Sequence, residues 1–261
     1  MSPSSSTRPP GTVYLVGSGP GERELLTLRA ARLIGEADAI VYDHLIGEGV
    51  LELARSGAEL IYAGKESSKH TLPQAELNRL LVSLARGGKM VVRLKGGDPF
   101  IFGRGGEEIE ALVDSGVPFE VVPGVTAAAG CAAYAGIPLT HRDHAHAVAF
   151  ATGHLKDGTV NLDWPALARP RLTVVFYMGV GGLAEICKQL IKHGLPGKHP
   201  AAVVENGTTR RQRVLVGDLA TLPGQAEAAA ITPPALLIVG TVVRLQPRLA
   251  WFSPQVSHEL G

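Results

Sequence analysis

Positions 96–108 read GGDPFIFGRGGEE and follow the apolar run MVVRLK at positions 90–95. The apolar run predicts a buried strand, and the five glycines after it let bare backbone approach a ligand closely, because glycine has no Cβ. The same stretch holds a cation, two adjacent acids and two aromatic rings. A loop that served only as a connection would rarely combine these groups, so we predict a binding site at the end of this strand.

Length and composition bound the class of protein. The 261 residues suit one large or two medium domains, and 45% hydrophobic with 19% charged residues is typical of a globular protein with a substantial core. A net charge of +1 offers no basic field for nucleic acid, and no apolar run approaches the roughly 20 residues that span a bilayer. Cys131 and Cys187 stand alone in apolar surroundings. We therefore expect a cytoplasmic protein with buried free thiols and neither nucleic-acid nor membrane partners.

In the first half, short apolar runs alternate with segments of helical period. The expected strands cover residues 12–16, 39–42, 59–62, 90–94 and 119–122, and the expected helices cover residues 24–35, 48–54, 73–86 and 107–115. Thr71 and Gln74 are spaced as a helix start signal for the third helix. Such alternation predicts an α/β fold with a parallel or mostly parallel sheet.

The second half is denser in strands. After a small-residue helix at 126–135, strands are expected at 147–151, 173–178, 201–205, 211–216 and 235–239, with a helix at 183–193. We predict a disordered leader at 1–10, an N-terminal α/β domain at 11–123, a C-terminal α/β domain at 124–247 and a tail at 248–261.

Each expected strand of the first half is followed by a cluster of glycine, proline or charged residues. The clusters are residues 17–21, 43–44, 64–65, 95–98 and 123–126. In open α/β sheets, ligands bind beyond the carboxyl ends of the strands. We therefore expect these clusters to converge on one site.

Several other sites fail on detail. A dinucleotide fingerprint that begins at Gly17 needs glycine or alanine at position 22, which holds Glu22, and Pro20 lacks an N–H donor. The histidines of residues 141–146 lack the spacing of a simple metal site, so no metal is expected. The cations near the loops instead suggest a polyanionic small molecule; they are Lys65, Arg93, Lys95, Arg104 and Arg142.

These motifs together resemble the tetrapyrrole methylases. The resemblance covers residues 12 to about 245, and its motifs lie at residues 17–21, 41–43, 64–65, 96–108, 123–128, 136–142, 177–179 and 205–208. It implies two α/β domains with S-adenosylmethionine in the cleft between them, released as S-adenosylhomocysteine, in a homodimer. Within the family it points to the branch that methylates uroporphyrinogen III at carbons 2 and 7 to give precorrin-2, toward sirohaem or cobalamin.

The resemblance also implies roles for particular residues. The implied proton acceptor and donor are Asp43 and Lys65, and Arg104 joins them as a catalytic group. Substrate contacts would come from Glu107, His141 and Arg142. The implied cofactor contacts are Pro20, Gly96, Gly97, Asp98, Ile101, Thr126, Ala127, Met178 and Gly207.

Two departures and two alternatives stay open. Residues 66–68 (ESS) differ from the family's usual continuation after the lysine, and the histidines of residues 143–146 are atypical. The chain could methylate a later corrin or a diphthamide side chain, or it could be a non-catalytic sensor of an adenosyl or tetrapyrrole ligand. Chemically, Asp43 could move the proton and Arg104 could stabilise developing charge, but the sequence does not rank them.

Overall fold

The computed structural model describes residues 11–64, 73–153 and 162–254. Two compact units meet in the chain at Thr126 and Ala127. We call residues 11–126 the N-unit and residues 127–254 the C-unit. Several predictions from the sequence fall outside the described residues. They concern the leader at 1–10, the proton donor Lys65, the departure at 66–68, the helix-start residue Thr71 and the tail beyond residue 254.

The N-unit is built on a five-stranded sheet in the order β3-β2-β4-β1-β5. All four strand pairings are parallel, as the sequence predicts. The strands are β1 (Val13–Gly17), β2 (Ala39–Tyr42), β3 (Glu59–Tyr62), β4 (Val91–Lys95) and β5 (Phe119–Val122).

Helices cover both faces of this sheet, which explains its nearly continuous apolar strands. The helices are α1 (Leu28–Glu36), α2 (Gln74–Arg86) and α3 (Gly105–Asp114). On one face Leu15 and Val91 pack with Leu81 of α2 and Leu112 of α3. On the other face the strands pack against α1.

Two predicted helices differ from the structure. The helix expected at 24–35 is a 3-10 turn at Arg23–Leu25 followed by α1, because the Thr27 hydroxyl accepts a hydrogen bond from Ala30 N (3.1 Å) and caps α1 there. The helix expected at 48–54 is only a 3-10 turn at Leu51–Leu53. Gly49 precedes it with a φ of 76°, which a right-handed helix does not accommodate.

The C-unit has a second five-stranded sheet in the order β6-β7-β10-β8-β9. Only β6 and β7 pair in parallel; the other three pairings of this sheet are antiparallel. The strands are β6 (Ala147–Thr152), β7 (Leu172–Tyr177), β8 (Pro200–Glu205), β9 (Arg213–Asp218) and β10 (Ala235–Val239).

Three of the C-unit helices contribute residues to a core that includes Phe176, Leu190 and Leu237. The helices are α4 (Ala127–Ala135), α5 (Trp164–Leu167), α6 (Leu183–Lys192), α7 (Leu222–Ala228) and α8 (Gln246–Leu249). After α8, Trp251 and Phe252 pack on Tyr134 of α4, with ring centroids 5.0 and 4.8 Å from the tyrosine ring. In the part of the chain that the structure describes, no helix is long and apolar enough to cross a membrane.

Candidate functional site

The carboxyl ends of all five N-unit strands lie at one edge of the sheet, because the strands are parallel. The loops after these strands therefore leave the sheet at the same end, as expected for parallel strands, while their convergence on one site stays a prediction. We call this edge of the sheet the N-edge. The loops after β1, β4 and β5 are neighbours there, since β1 lies between the other two strands.

Glycines let these three loops come into backbone contact. Gly97 N donates to Gly19 O (2.7 Å), and Gly19 N donates to Gly97 O (3.2 Å). A Cβ at Gly17 would lie 2.6 Å from Gly97 O, and one at Gly124 would lie 2.3 Å from the same oxygen. Bare backbone is therefore required at the N-edge, where the sequence places several cofactor contacts.

Asp98 joins the β4 and β5 loops. Its Oδ1 accepts from Phe100 N (2.9 Å), and its Oδ2 accepts from Gly124 N (3.1 Å). Ile101 N donates to the Asp98 carbonyl at 3.3 Å. Gly96 lies against the β2 loop, since a Cβ there would be 2.7 Å from Leu45 Cβ. The predicted contacts Gly96, Gly97, Asp98 and Ile101 thus share one region.

Asp43 follows β2 and is held through both carboxylate oxygens. Its Oδ1 accepts from Leu45 N (3.1 Å), and its Oδ2 lies 3.4 Å from Arg93 NH2. The side chain retains 23% of its exposure, so the carboxylate is reachable from solvent. Lys65, which the family resemblance pairs with Asp43 as the proton donor, lies outside the described residues.

A cluster of charged side chains, buried except for Asp43, lies at the carboxyl end of β4. We define it as Arg93 and Lys95 of β4, Glu108 of α3 and Asp43. Glu108 Oε1 accepts hydrogen bonds from Lys95 Nζ (2.8 Å) and Arg93 Nε (3.3 Å). The side chains of Glu108, Lys95 and Arg93 are each at most 5% exposed. Glu108 Oε2 is buried and has no hydrogen-bond partner among the described residues.

Burial lowers the pKa of the Lys95 ammonium, and the nearby charge of Arg93 lowers it further, while Glu108 opposes the shift. The sequence suggested Arg93 and Lys95 as cations that face a polyanionic ligand. The structure instead turns both inward to Glu108, because they lie two residues apart on the face of β4 that α3 covers.

Arg104 and Glu107 form an exposed pair at the start of α3. Arg104 Nε donates to Glu107 Oε1 (2.8 Å) and NH2 donates to Oε2 (2.6 Å). This bond raises the pKa of the Arg104 guanidinium and lowers that of the Glu107 carboxyl. Arg104 has a φ of 58°, a left-handed conformation that is costly for a residue with a side chain. Two predicted site residues are therefore adjacent and paired on an open surface.

The C-unit has a comparable edge. Strands β7 and β8 both run antiparallel to β10, and β6 runs parallel to β7, so the carboxyl ends of β6, β7 and β8 lie together. We call this the C-edge. It carries Met178 after β7 and Gly207 after β8, both predicted cofactor contacts. Met178 is exposed and left-handed, with a φ of 53°.

Helix α4 connects these C-edge residues. Ala128 N, next to the predicted contact Ala127, donates to Tyr177 Oη (2.9 Å), and Tyr177 directly precedes Met178. Gly207 packs on the same helix, since a Cβ there would lie 2.3 Å from Cys131 Sγ. Ala127, Met178 and Gly207 are thus brought together. Thr126, the remaining predicted contact of this stretch, is the last residue of the N-unit.

His141 and Arg142 lie at the opposite end of the β6–β7 pair from Met178. Their loop is closed by His141 N donating to Ala145 O (3.0 Å), and His146 N then donates to Arg171 O (3.1 Å), just before β7 begins. Six residues of strand separate the two ends, about 20 Å at 3.3 Å per residue. The structure does not group these two residues with the C-edge contacts.

The sequence analysis did not distinguish the buried Glu108 from its exposed neighbour Glu107. It counted the two adjacent acids together, as part of one predicted binding stretch. However, Glu108 lies four residues before Leu112, so both fall on the buried face of α3, whereas Glu107 does not. Helical spacing was the signal that could have found it.

Comparisons with known proteins agree with this geometry. The sequence profile of the Tetrapyrrole (Corrin/Porphyrin) Methylases matches residues 12–223. The chain therefore belongs to the tetrapyrrole methylases.

Individual relatives add detail. A siroheme synthase from Methylobacillus flagellatus is 62% identical over 94% of this chain and 52% of its own length, so the chain spans about half of such relatives. The structure of a uroporphyrin-III C-methyltransferase from Thermus thermophilus, complexed with S-adenosylhomocysteine, is 44% identical, with a TM-score of 0.77 over 90% of this chain and 94% of that one. A cobalt-precorrin-4 methyltransferase structure is 26% identical, with a TM-score of 0.80 over 89% and 95%.

Proposed function

We propose that this protein transfers methyl groups from S-adenosylmethionine to carbons 2 and 7 of uroporphyrinogen III, giving precorrin-2. The observation that carries this proposal is the 44% identity, over nearly the whole of both chains, to a uroporphyrin-III methyltransferase that binds S-adenosylhomocysteine. The cobalt-precorrin-4 enzyme has as high a TM-score at only 26% identity. Sequence identity, rather than the fold, therefore favours uroporphyrinogen III.

Each edge, taken by itself, has features that suit an adenosyl ligand. At the N-edge, Gly17 and Gly124 have no room for a Cβ, and Gly97 has a φ of 66°, so backbone polar groups line the loops. At the C-edge, the left-handed backbone at Met178 exposes its side chain. When bound, S-adenosylmethionine supplies an electrophilic methyl group on a sulfonium centre. The residues that would hold it are Pro20, Gly96, Gly97, Asp98, Ile101, Thr126, Ala127, Met178 and Gly207.

Positioning would supply much of the catalysis, since well-oriented reactants gain roughly 7–11 kcal/mol. Asp43 would accept the proton that the macrocycle loses, because its carboxylate is oriented through both oxygens and still partly exposed. Lys65 would return a proton. Arg104, held by its pair with Glu107, would contact carboxylate side chains of the substrate. For His141 and Arg142, which lie at the far end of the β6–β7 pair from Met178, a substrate contact rests on the family resemblance alone.

The decisive experiment incubates the protein with uroporphyrinogen III and methyl-labelled S-adenosylmethionine. Two labelled methyl groups per macrocycle support the proposal. Binding of S-adenosylhomocysteine without any methyl transfer would identify a sensor, and labelling only of a later corrin would identify another methylase of this fold. We expect Asp43→Asn to lower turnover at least tenfold, within the usual range for a general acid or base. Unchanged turnover would remove Asp43 from proton transfer.

The setting of the reaction is part of the proposal. The relatives named siroheme synthase favour the sirohaem branch. The two buried free cysteines suit a reducing compartment such as the cytoplasm. The family resemblance favours a homodimer, which light scattering on the purified protein tests directly.

A further inference from the structure

We propose that Arg93, held by Glu108, is a positioning residue that fixes the orientation of the Asp43 carboxylate for proton transfer. This inference rests on the proposed function, because it assigns Asp43 a proton to accept. It assigns the buried charge cluster a task in the reaction rather than in folding.

The guanidinium of Arg93 is anchored on three sides apart from Asp43. Its Nε donates to Glu108 Oε1 (3.3 Å), and its NH1 donates to Leu94 O (2.9 Å) and Val41 O (3.4 Å). The NH2 nitrogen faces Asp43 Oδ2 at 3.4 Å. Because a guanidinium is a rigid planar fork, fixing Nε and NH1 also fixes where NH2 points.

Asp43 is consequently held between a fixed cation and the backbone. Arg93 NH2 is near one carboxylate oxygen, and Leu45 N donates to the other. Two contacts on different oxygens set the plane of the carboxylate. Its remaining exposure of 23% leaves a path for a substrate proton.

The cost of the cluster argues against a purely stabilising role. Charges taken out of water lose hydration, and replacing a buried ion pair by apolar residues is often neutral or stabilising. Here two cations and two carboxylates are collected at the end of β4, the edge where ligands bind in such sheets. Among the described residues, the second carboxylate oxygen of Glu108 has no hydrogen-bond partner.

Lys95 completes the arrangement. Its ammonium lies 2.8 Å from the same Glu108 oxygen that holds Arg93. With both cations charged, the two carboxylates balance the two positive charges. Two residues of β4 thus hold the Glu108 carboxylate in place, and the Glu108 carboxylate in turn restrains the Arg93 guanidinium.

The test is a double-mutant cycle in the full chain. Arg93→Lys keeps the buried positive charge, so the charge balance of the cluster is preserved. The lysine ammonium cannot contact Glu108 and Asp43 at the same time, so the link between them is lost. We expect Arg93→Lys to lower kcat about tenfold while KM and the affinity for S-adenosylhomocysteine stay within twofold. In the Asp43→Asn background, the same substitution should change kcat less than twofold.

Matched variants separate positioning from general damage. Arg32→Lys alters an exposed pair with Glu36 in the same unit and should leave kcat unchanged. Glu108→Gln keeps an acceptor at the Oε1 position and should retain more turnover than Glu108→Leu. An equal loss from Arg93→Lys in both Asp43 backgrounds, or no loss in either, would overturn the inference.

A crystal structure of the Arg93→Lys variant gives a second readout. We expect the Asp43 carboxylate to occupy more than one orientation, whereas a single wild-type orientation would contradict the inference. If the wild-type protein transfers no methyl group, the proposed function fails. The crystallographic result still decides whether Arg93 orients Asp43.

Discussion

The N-edge and the C-edge both contain a buried carboxylate, but the two are satisfied differently. Glu108 in the N-unit has two buried cations on one oxygen, and its second oxygen has no partner in the part of the chain that the structure describes. Glu205 ends β8 in the C-unit, and both of its oxygens are occupied: Thr232 N (2.8 Å) and Thr232 Oγ1 (3.1 Å) donate to Oε1, and the half-exposed Arg213 donates to Oε2.

This difference separates a structural carboxylate from one that serves a site. Glu205 connects β8 to Arg213 of β9 and to Thr232, which precedes β10. Both partners belong to the framework of the C-unit. Arg213 and Thr232 lower the pKa of Glu205 because they favour the ionised form. The partner Arg93 of Glu108 instead leads outward to Asp43. Under the proposed function, the same residue type stabilises one unit and orients a proton-accepting carboxylate in the other.

The largest effect should come from the backbone contact at the N-edge. We expect Gly124→Ala to destabilise the protein by about 3 kcal/mol, because its Cβ would lie 2.3 Å from Gly97 O. Urea unfolding measures the change. As a control, Gly106→Ala has open space around its Cβ within α3 and should stabilise by about 0.5 kcal/mol. Equal effects of the two substitutions would refute the packing argument.

Glu205 gives the next effect and carries a pH signature. Glu205→Ala should cost about 2 kcal/mol at pH 7, since it removes two hydrogen bonds from Thr232 to a charged acceptor. The folded pKa of Glu205 is below its ordinary 4.5, so its stabilisation is present above that value. It is lost as the pH falls through the folded pKa. Unfolding measured from pH 7 to pH 3 should show the cost shrinking.

The control for this prediction is Lys188→Ala, which alters an exposed i,i+3 pair with Glu185. It should change the stability of the C-unit little at any pH. A cost of Glu205→Ala that stays constant down to pH 3 would show that the charge of Glu205 is not what stabilises β8.

A smaller effect is expected where the C-edge packs on α4. Gly207→Ala should destabilise by about 1.5 kcal/mol, because its Cβ would lie 2.3 Å from Cys131 Sγ. Cys131→Ala removes that sulfur, so the double variant should be more stable than the sum of the single effects predicts. Thermal or urea unfolding of all four proteins measures the coupling. Strict additivity would show that the clash is relieved elsewhere.

The smallest effect concerns the left-handed Arg104. Arg104→Gly should raise stability by about 1 kcal/mol relative to Arg104→Ala, since glycine adopts a φ of 58° without strain. Both variants should lose turnover while S-adenosylhomocysteine binding, measured by calorimetry, stays near the wild-type value. Equal loss of cofactor binding would place Arg104 in the cofactor site instead of the substrate site.

The sequence predicted element positions well because apolar periodicity reports burial. All ten described strands were expected within two residues of their observed bounds. Periodicity does not report strand direction, so the antiparallel pairs of the C-unit were not foreseen. The short helices α5, α7 and α8 were also missed, since each is too brief to show a helical pattern.

For the site, the loops were predictable and the side-chain directions were not. Glycine clusters after strands located the N-edge, because parallel strands bring those loops to one edge. The inward turn of Arg93 and Lys95 depends on which face of β4 is covered by α3, which requires the helix packing. The family motifs named Asp43, but the tertiary structure was needed to find what holds it.

The strand order of the N-unit has a consequence for synthesis on the ribosome. Strand β1 lies between β4 and β5, yet these pairing partners come 78 residues later (Val13 to Val91) and 106 residues later (Val13 to Phe119). At about 5–20 residues per second, β1 therefore waits roughly 5–20 s for β5 to be made. Until β4 is made, the apolar strand β1 has unpaired backbone on both sides, and until β5 is made it keeps one unpaired side, a state prone to aggregation. The side of β1 that pairs with β5 is therefore exposed to other chains for longer than the side that pairs with β4.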